Sequence, residues 1–354
     1  MKIITQHSII YISSEIHTVL AEVLKNYSNK KTFVLVDENT RKHCMPIIKE
    51  IDLINKSEII EIKSGEKNKN IESVVKVWNE LTSKGADRSS LLINLGGGII
   101  GDLGGFAAST FKRGIDFINI PTTLLSQVDA SVGGKTGINS LELKNEIGVF
   151  NHPKYVIIYS AFNRTVDKKN IMSGWAEMLK HALIFNEKDW TNLISHDIKQ
   201  TGFKELNLLI ARSVSIKNHF IEKDPKEKNI RKALNFGHTL GHAFESLLMG
   251  TDKEITHGEA VAHGLICELR LSEKICNFSS EKAEKLISYL LKTYTKLEFN
   301  DSDIKDIIEY TGHDKKNIES KINFTLLEDF GQFKIDQFCS KEDIIEILNW
   351  YRNL

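Results

Sequence analysis

The stretch LNFGHTLGHAFES, residues 234–246, places His238 and His242 four residues apart, with Glu245 three further on. Four residues is just over one helical turn, so on a helix the three side chains share a face. Imidazole and carboxylate both ligate zinc, and a catalytic zinc site commonly takes three protein ligands and leaves one position open. Three readings are open: both histidines grip one ion, one of them does so beside a residue with another task, or the face is a polar packing seam. A second segment, SGWAEMLKHALI, sets Glu177 and Lys180 three apart inside an otherwise apolar helix, where a surface ion pair is the plainer alternative. Lys217, Arg231 and Asn235 follow, and then HGEAVAHG with His257 and Glu259. By residue type the candidate ligands are Glu177, His238, His242, His257 and His263, and spacing alone does not choose among them.

An earlier segment, LLINLGGGIIGDLGGF, puts a strand directly before a glycine cluster and a helix, and Gly96, Gly98 and Gly101 satisfy G-x-G-x-x-G. Such a turn lets backbone N–H groups approach a pyrophosphate at a helix N-terminus, where the dipole favours an anion. The usual ribose-binding acid about 20 residues downstream is missing. Asp37, at the end of TFVLVD, can replace it only if the sheet order brings the two together. The later cluster VDASVGGKTGIN contains Gly-Lys-Thr, but the first glycine of a P-loop would fall at Asp129, so that motif fails. What remains is Asp129, Lys135, Lys144 and Asn145 near glycines, a set suited to a charged substrate. A nicotinamide cofactor, a hydroxyl-polarising metal and several cations together describe oxidation of an alcohol on an anionic substrate.

The elements that must position these groups change along the chain. Residues 32–37, 58–62, 91–95, 116–121 and 155–159 read as buried strands, separated by helical stretches such as 70–84, in which Ile71, Val74, Val75, Val77, Trp78 and Leu81 recur at helical intervals. That rhythm predicts a mainly parallel, Rossmann-like sheet covered by helices over residues 1–165. Residues 166–354 read as an all-α domain, with a short hairpin near its end and a loop at KDPKEKN. The whole chain, at 354 residues, is long enough for two such domains. Lys plus Arg and Asp plus Glu are 47 each, a balance that argues against a nucleic-acid-binding surface. No apolar run reaches the roughly 18 residues of a membrane span. The opening MKIITQHSIIYISSEIH lacks the pattern of a secretory signal, and Cys44, Cys267, Cys276 and Cys339 show no paired framework, so a cytoplasmic location is expected.

The longer segments resemble the 3-dehydroquinate synthases of the sugar phosphate cyclase family. They are GGGIIGDLGGFAASTFKRG, IPTTLLSQVDASVGGKTGIN, KNEIGVF, SGWAEMLKHALI, RKALNFGHTLGHAFES and HGEAVAHG, in family order from about residue 95 to 265, with weaker matches in SGEKNK and HDKKN. The resemblance implies a dehydroquinate synthase-like fold with the active site in a cleft between the domains. It implies zinc, or cobalt, on Glu177, His238 and His257. It implies NAD on Asp37, Glu66, Lys69, Gly97, Gly98, Asp102, Thr122 and Thr123, with Lys135 and Lys144. The substrate, 3-deoxy-D-arabino-heptulosonate 7-phosphate, would meet Asp129, Lys135, Lys144, Asn145, Lys180, Lys217, Arg231, Asn235, His242 and either Lys315 or Lys316. Asp129, Lys135, Lys180, Lys217, Arg231, Asn235 and His242 form the expected catalytic set. Arg113 would reach the phosphate bound by a neighbouring subunit, implying a homodimer, and Glu245 is left with a structural role.

The chemistry so implied is oxidation at C5, β-elimination of phosphate, return of the hydride, ring opening and aldol closure to 3-dehydroquinate. A carboxylate and a dianionic phosphate call for several Arg and Lys donors. A polyol dehydrogenase of related fold would not need Lys135, Lys180, Lys217 and Arg231. Cyclases acting on substrates without a carboxylate would not need Lys217, Arg231 and Asn235, whereas the amino-dehydroquinate synthases are a closer alternative.

Overall fold

The computed structural model describes residues 1–140, 143–198, 200–312 and 322–354. The lysines Lys315 and Lys316 expected at the phosphate lie outside the described residues. The chain divides into two units, Met1–Gly174 with Ile198–Asn218, and Trp175–Asp197 with His219–Leu354.

The first unit is built on seven strands: β1 (Lys2–Ile4), β2 (Ile9–Ile12), β3 (Thr32–Asp37), β4 (Glu58–Ile62), β5 (Leu91–Gly96), β6 (Asp116–Pro121) and, after a hairpin of β7 (Lys135–Ser140) and β8 (Leu143–Phe150), β9 (Tyr155–Ile158). Their order is β1-β2-β9-β6-β5-β3-β4, parallel throughout except for β1 against β2. The continuous apolar reading of TFVLVD follows from burial on both faces. Phe33 and Leu35 enter one core with Leu92, Val74, Val77 and Leu81, while Val34 and Val36 enter the other with Ile93, Leu95 and Ile118. The helix expected over 70–84 spans Ile71–Ser83, started by Asn70, whose side chain accepts from the Ser73 N–H. Its buried stripe is narrower than the apolar spacing suggests, because Ile71 and Val75 face solvent.

The sheet reverses direction between β3 and β5: the chain leaves β3 outward to β4, then returns to β5 on the other side. Leu35 pairs with Asn94, so two residues later Asp37 and Gly96 end neighbouring strands. Ligands of open α/β sheets bind where the strand order reverses, beyond the strand C-termini. The sheet therefore supplies the proximity that Asp37 needs.

The hairpin of β7 and β8 is not anticipated from the sequence, where VDASVGGKTGIN stands out only as a glycine cluster. Its strands carry a weak pattern because β8 is exposed, and Gly137 and Gly148 pair across it where a Cβ on either would overlap the opposing backbone oxygen, of Ile147 and Thr136 respectively. The second unit is helical apart from one hairpin among the described residues, β10 (Ile322–Asp329) with β11 (Gln332–Cys339), where a terminal hairpin is expected.

Candidate active site

In the first unit, helix α1 (Gly98–Thr110) starts directly after β5, with Gly97 as its N-cap. Of the glycines, Gly101 has room for a side chain, since a Cβ there would meet nothing closer than 3.9 Å. Close helix–sheet packing falls instead on Gly104 and Gly105, where a Cβ would overlap Asn94 Oδ1 and lie 2.5 Å from Thr136 Cγ2, respectively. The sequence signal is the pair GG of GDLGGF, one turn beyond the motif. Thr122 N–H donates to the Gly96 carbonyl at 3.0 Å, so the Pro-Thr-Thr turn is fastened beside the glycine turn. The Thr123 N–H donates to Ser126 Oγ at 3.1 Å.

Three residues expected at the cofactor belong to one network. Lys69, 4% exposed, donates to Asp102 Oδ2 at 2.6 Å and to Asn145 Oδ1 at 2.5 Å. Asn139 donates from Nδ2 to Glu66 Oε1 at 2.8 Å and accepts the Asn145 N–H at 2.9 Å. The network thus ties the β7–β8 hairpin to Glu66 and Lys69, and it explains why Asn145 is held at φ 55. Burial pushes the Asp102 carboxyl upward and the Lys69 ammonium opposes that shift. Sequence reasoning misses Asn139 as a member. Asp37 caps the helix Glu38–His43, accepting the Thr40 N–H at 2.7 Å, so its orientation is fixed.

A turn of π-helix, Ser126–Ala130, presents Asp129, and such insertions often mark functional positions. Lys217, on helix α3 (Phe203–Lys223), donates at 2.6 Å both to Asp129 Oδ1 and to its carbonyl oxygen. Lys135 starts β7 and is exposed, and Lys144 is half-buried on β8. Arg113 stands apart from these residues, exposed in a shallow concavity with Asp87, Arg88, Thr110 and Lys112. Lys112 and Arg113 hold φ of 50 and 71, a conformation uncommon for non-glycine residues, before Gly114 at φ 112.

In the second unit, α2 (Lys168–Leu183, within the unit from Trp175) carries Glu177 and Lys180, α4 (His238–Leu248) carries His238 and His242, and α5 (His257–Cys276) begins with His257. The helices α4 and α5 meet in backbone contact. A Cβ on Gly264 would overlap the Gly237 carbonyl oxygen, and one on Gly241 would lie 3.1 Å from that of Ala260. Gly237 is the N-cap of α4 at φ 80, and the buried Glu268 of α5 accepts the N–H groups of Gly237 at 2.5 Å and Leu240 at 3.2 Å. A carboxylate at a helix N-terminus satisfies orphan donors and complements the dipole. This cap fixes where His238 starts. A capping box of Thr256 and Glu259 fixes His257 in the same way.

These starts bring the side chains together. The Nε2 atoms of His238 and His257 each lie 3.4 Å from Glu177 Oε1. The buried ammonium of Lys180 contacts the other carboxylate oxygen, Oε2. Both Glu177 oxygens are buried and neither accepts a well-aligned hydrogen bond among the described residues. Burial disfavours the charged form of Glu177, but Lys180, His238 and His257 outweigh it and hold the carboxyl well below its ordinary range. Burial and the Lys180 charge push His238 down to about 4, keeping the imidazole neutral near pH 7. One carboxylate and two imidazoles are a donor set that zinc or cobalt accepts, and an unsatisfied buried carboxylate facing them fits a cation. His242 also lies near: its ligand nitrogen and those of His238 and His257 fall within 4.8 Å of one another. His242 is exposed, whereas His238 and His257 are half-buried. His263 is elsewhere, buried with Nδ1 3.0 Å from Tyr351 Oη.

Arg231, 2% exposed, is held by the loop that reads as KDPKEKN. The Asp224 carboxylate accepts the N–H groups of Lys228, Asn229 and Arg231 at 3.0, 2.6 and 3.2 Å, and Arg231 Nη1 donates to the Pro225 carbonyl at 2.8 Å. Asn235 donates to Glu227 Oε1 at 3.0 Å, and Glu227 sits at φ 55. Asp224 and Glu227 do not stand out in the sequence, where they belong to a charged loop.

The chain matches the family model for the 3-dehydroquinate synthase N-terminal domain over residues 59–173 and that for the C-terminal domain over residues 174–317. It is 46% identical over 343 residues, 97% of both chains, to the 3-dehydroquinate synthase of Parabacteroides distasonis. It is 40% identical over 341 residues to that of Dictyoglomus thermophilum, covering 94% of this chain and 93% of the relative. A crystal structure of 2-deoxy-scyllo-inosose synthase, complexed with carbaglucose-6-phosphate, NAD+ and Co2+, superposes with TM-score 0.87 at 23% identity, over 98% of this chain and 96% of that one. The 2-epi-5-epi-valiolone synthase of Streptomyces hygroscopicus, with NAD+ and Zn2+ bound, gives 0.85 at 21% identity over 100% and 98%. An iron-containing alcohol dehydrogenase of Thermotoga maritima gives 0.70 at 14% over 99% of each chain. The two structural likenesses to cyclases carry the fold, the sequence relatives carry the family, and the chain belongs to the 3-dehydroquinate synthase family.

Proposed function

We propose that this chain converts 3-deoxy-D-arabino-heptulosonate 7-phosphate to 3-dehydroquinate and phosphate, using NAD and a zinc or cobalt ion. The observation that carries the reading is the convergence of His238 and His257 on the buried carboxylate of Glu177, with the Lys180 ammonium against it. Glu177, His238 and His257 would hold the metal. When bound, the metal supplies polarisation of a substrate hydroxyl and NAD supplies reversible hydride acceptance.

The chain's own groups do the rest. Arg231 is prearranged by Asp224 and Pro225, so its planar fork meets a carboxylate with little further loss of freedom. Asn235, restrained by Glu227, ends the short 3-10 segment Ile230–Asn235 ahead of α4 and joins Arg231 on the acid group of the substrate. Lys180, His242, Lys135, Lys144, Asn145 and Lys217 supply donors to the substrate's hydroxyl and phosphate oxygens. Asp129 orients Lys217 through the ion pair between them. The glycine turn after β5, with Thr122, Thr123, Glu66, Lys69, Asp102 and Asp37, would receive NAD, the helix N-terminus there favouring an anion. A neutral polyol would not need the cations Lys135, Lys180, Lys217 and Arg231, which disfavours the dehydrogenase reading.

Incubation with the heptulosonate phosphate and a catalytic amount of NAD tests this. Phosphate release in many-fold excess over NAD, with no net NADH, supports the synthase; NADH accumulating with product refutes it.

We further infer a homodimer in which Arg113 serves the phosphate bound by the partner. The twisted backbone at Lys112 and Arg113 and the cationic concavity around them support this. Mixing Arg113→Ala with Lys180→Ala, each inactive alone, should restore part of the activity through mixed dimers; no restoration after subunit exchange sinks the inference. A cytoplasmic location is inferred from four buried free cysteines; no described helix is long and apolar enough to cross a membrane.

A further inference from the structure

The two histidines proposed as metal ligands are held differently. Each ring has two nitrogens, and the atom facing Glu177 is Nε2 in both. The other nitrogen of His238 meets the carbonyl oxygen of Phe236, two residues earlier in its own chain segment, at 3.2 Å. The other nitrogen of His257 meets a side chain from the opposite helix: Glu245 Oε2 lies 3.2 Å from His257 Nδ1. Glu245 is 8% exposed and stands on α4, seven residues after His238. Seven residues is close to two full turns, so Glu245 and His238 point the same way from α4. One helix therefore presents His238 to the Glu177 carboxylate and, two turns on, a carboxylate to the ring of His257 on α5.

We propose that Glu245 is a positioning residue for the metal centre. It accepts the Nδ1–H of His257, fixes the plane of that ring, and so leaves Nε2 as the nitrogen offered to the ion. The inference rests on the reading of Glu177, His238 and His257 as ligands. Three features make Glu245 more than a packing residue. His257 is the first residue of α5, so its backbone is set by the capping box while its ring still has to be oriented by something outside the helix. The contact bridges two helices whose backbones approach closely at Gly237, Gly241 and Gly264, so it ties the ring of His257 to a neighbour of fixed position. An acceptor on the second nitrogen of a ligating histidine fixes its tautomer and ring orientation, and Glu245 is the acceptor that His257 meets. His263, on the same helix, meets the Tyr351 hydroxyl instead and lies outside the converging group.

The test is metal affinity rather than activity. The full-length protein is stripped of metal and titrated with Zn2+ against a chromophoric chelator, and NAD binding to each variant serves as the check that the chain is folded. Loss of an outer partner of a ligating histidine typically lowers metal affinity about 10–100-fold. Glu245→Ala should show a loss of that size with NAD binding retained, and its Co2+ form should show a shifted visible absorption spectrum. Glu245→Gln keeps an acceptor oxygen for Nδ1–H and should recover most of the lost affinity. His257→Ala, titrated alongside, should lose tight binding altogether. Wild-type affinity in Glu245→Ala while His257→Ala loses metal overturns the positioning role and leaves the ligand reading standing. Glu245→Gln as weak as Glu245→Ala also overturns it, since charge rather than orientation would then be at work. Wild-type affinity in His257→Ala overturns the ligand reading itself.

Discussion

The glycine turn of the first unit and the charged cluster of the second are built from different materials. The first uses strand ends, glycines and backbone donors: Gly96 and Gly97 at the end of β5, the Pro-Thr-Thr turn fastened to Gly96, and α1 starting at once. The ion pair of Lys69 with Asp102 fastens a hairpin alongside. The second unit uses side chains from three helices, Glu177, His238 and His257, with a lysine as counterion and carboxylates behind. A backbone site tolerates side-chain changes and depends on close packing. A site of converging charges depends on each member, because removing one leaves another buried and uncompensated.

That contrast can be broken most strongly at Lys180. In metal-free protein, Lys180→Ala leaves Glu177 buried beside two imidazoles, and stability by denaturant unfolding should fall by about 3–5 kcal/mol. Metal should return much of the loss, while turnover stays crippled and NAD binding stays near wild type. Stability unchanged in the metal-free variant would mean that the cluster is not a charge-balanced unit.

Next come two glycines that test packing in each region. Gly264→Ala forces a methyl against the backbone of Gly237, and Gly104→Ala forces one against Asn94 and Leu35. Overpacking of this kind costs about 1–3 kcal/mol. Gly264→Ala should weaken metal binding and spare NAD; Gly104→Ala should do the reverse. Titrations of both ligands on both variants check the pair, and equal losses of both ligands in either variant would erase the distinction.

A smaller effect is expected at the ion pair of the first unit. Asp102→Asn removes the charge facing Lys69 and should weaken NAD about tenfold, or roughly 1.4 kcal/mol, with zinc affinity unchanged. Equilibrium NAD titration measures it; wild-type NAD affinity would confine the pair to tying down the hairpin.

The same contrast governs what can be read from the sequence. The parallel sheet is legible because TFVLVD and LLINLG are buried on both faces and read as unbroken apolar runs. The glycine turn is legible because strand, glycines and helix are contiguous. That Asp37 ends beside Gly96 is not, because strand order is a long-range property. The β7–β8 hairpin escapes notice since an exposed strand carries little periodicity, and Asn139 with it. In the second unit, the shared face of His238, His242 and Glu245 follows from helical spacing alone. Which of them meets Glu177, about sixty residues earlier, depends on how α4 crosses α5, and that is set by Gly237, Gly241, Gly264 and the Glu268 cap. Asp224 and Glu227 read as solvated loop charges because nothing local distinguishes an acid that gathers backbone N–H groups from one that faces water.

The central claim is that the two histidines of GHTLGH divide their work, His238 with Glu177 and His257 on the metal and His242 on the substrate. The geometry also places His242 within reach of the other two, so the division needs a direct measurement. Zinc titration of stripped Glu177→Ala, His238→Ala and His242→Ala proteins decides it. Glu177→Ala and His238→Ala should lose tight zinc binding, while His242→Ala keeps wild-type stoichiometry and affinity and loses turnover. Loss of zinc in His242→Ala together with full retention in Glu177→Ala would contradict the account and make the centre a three-histidine site.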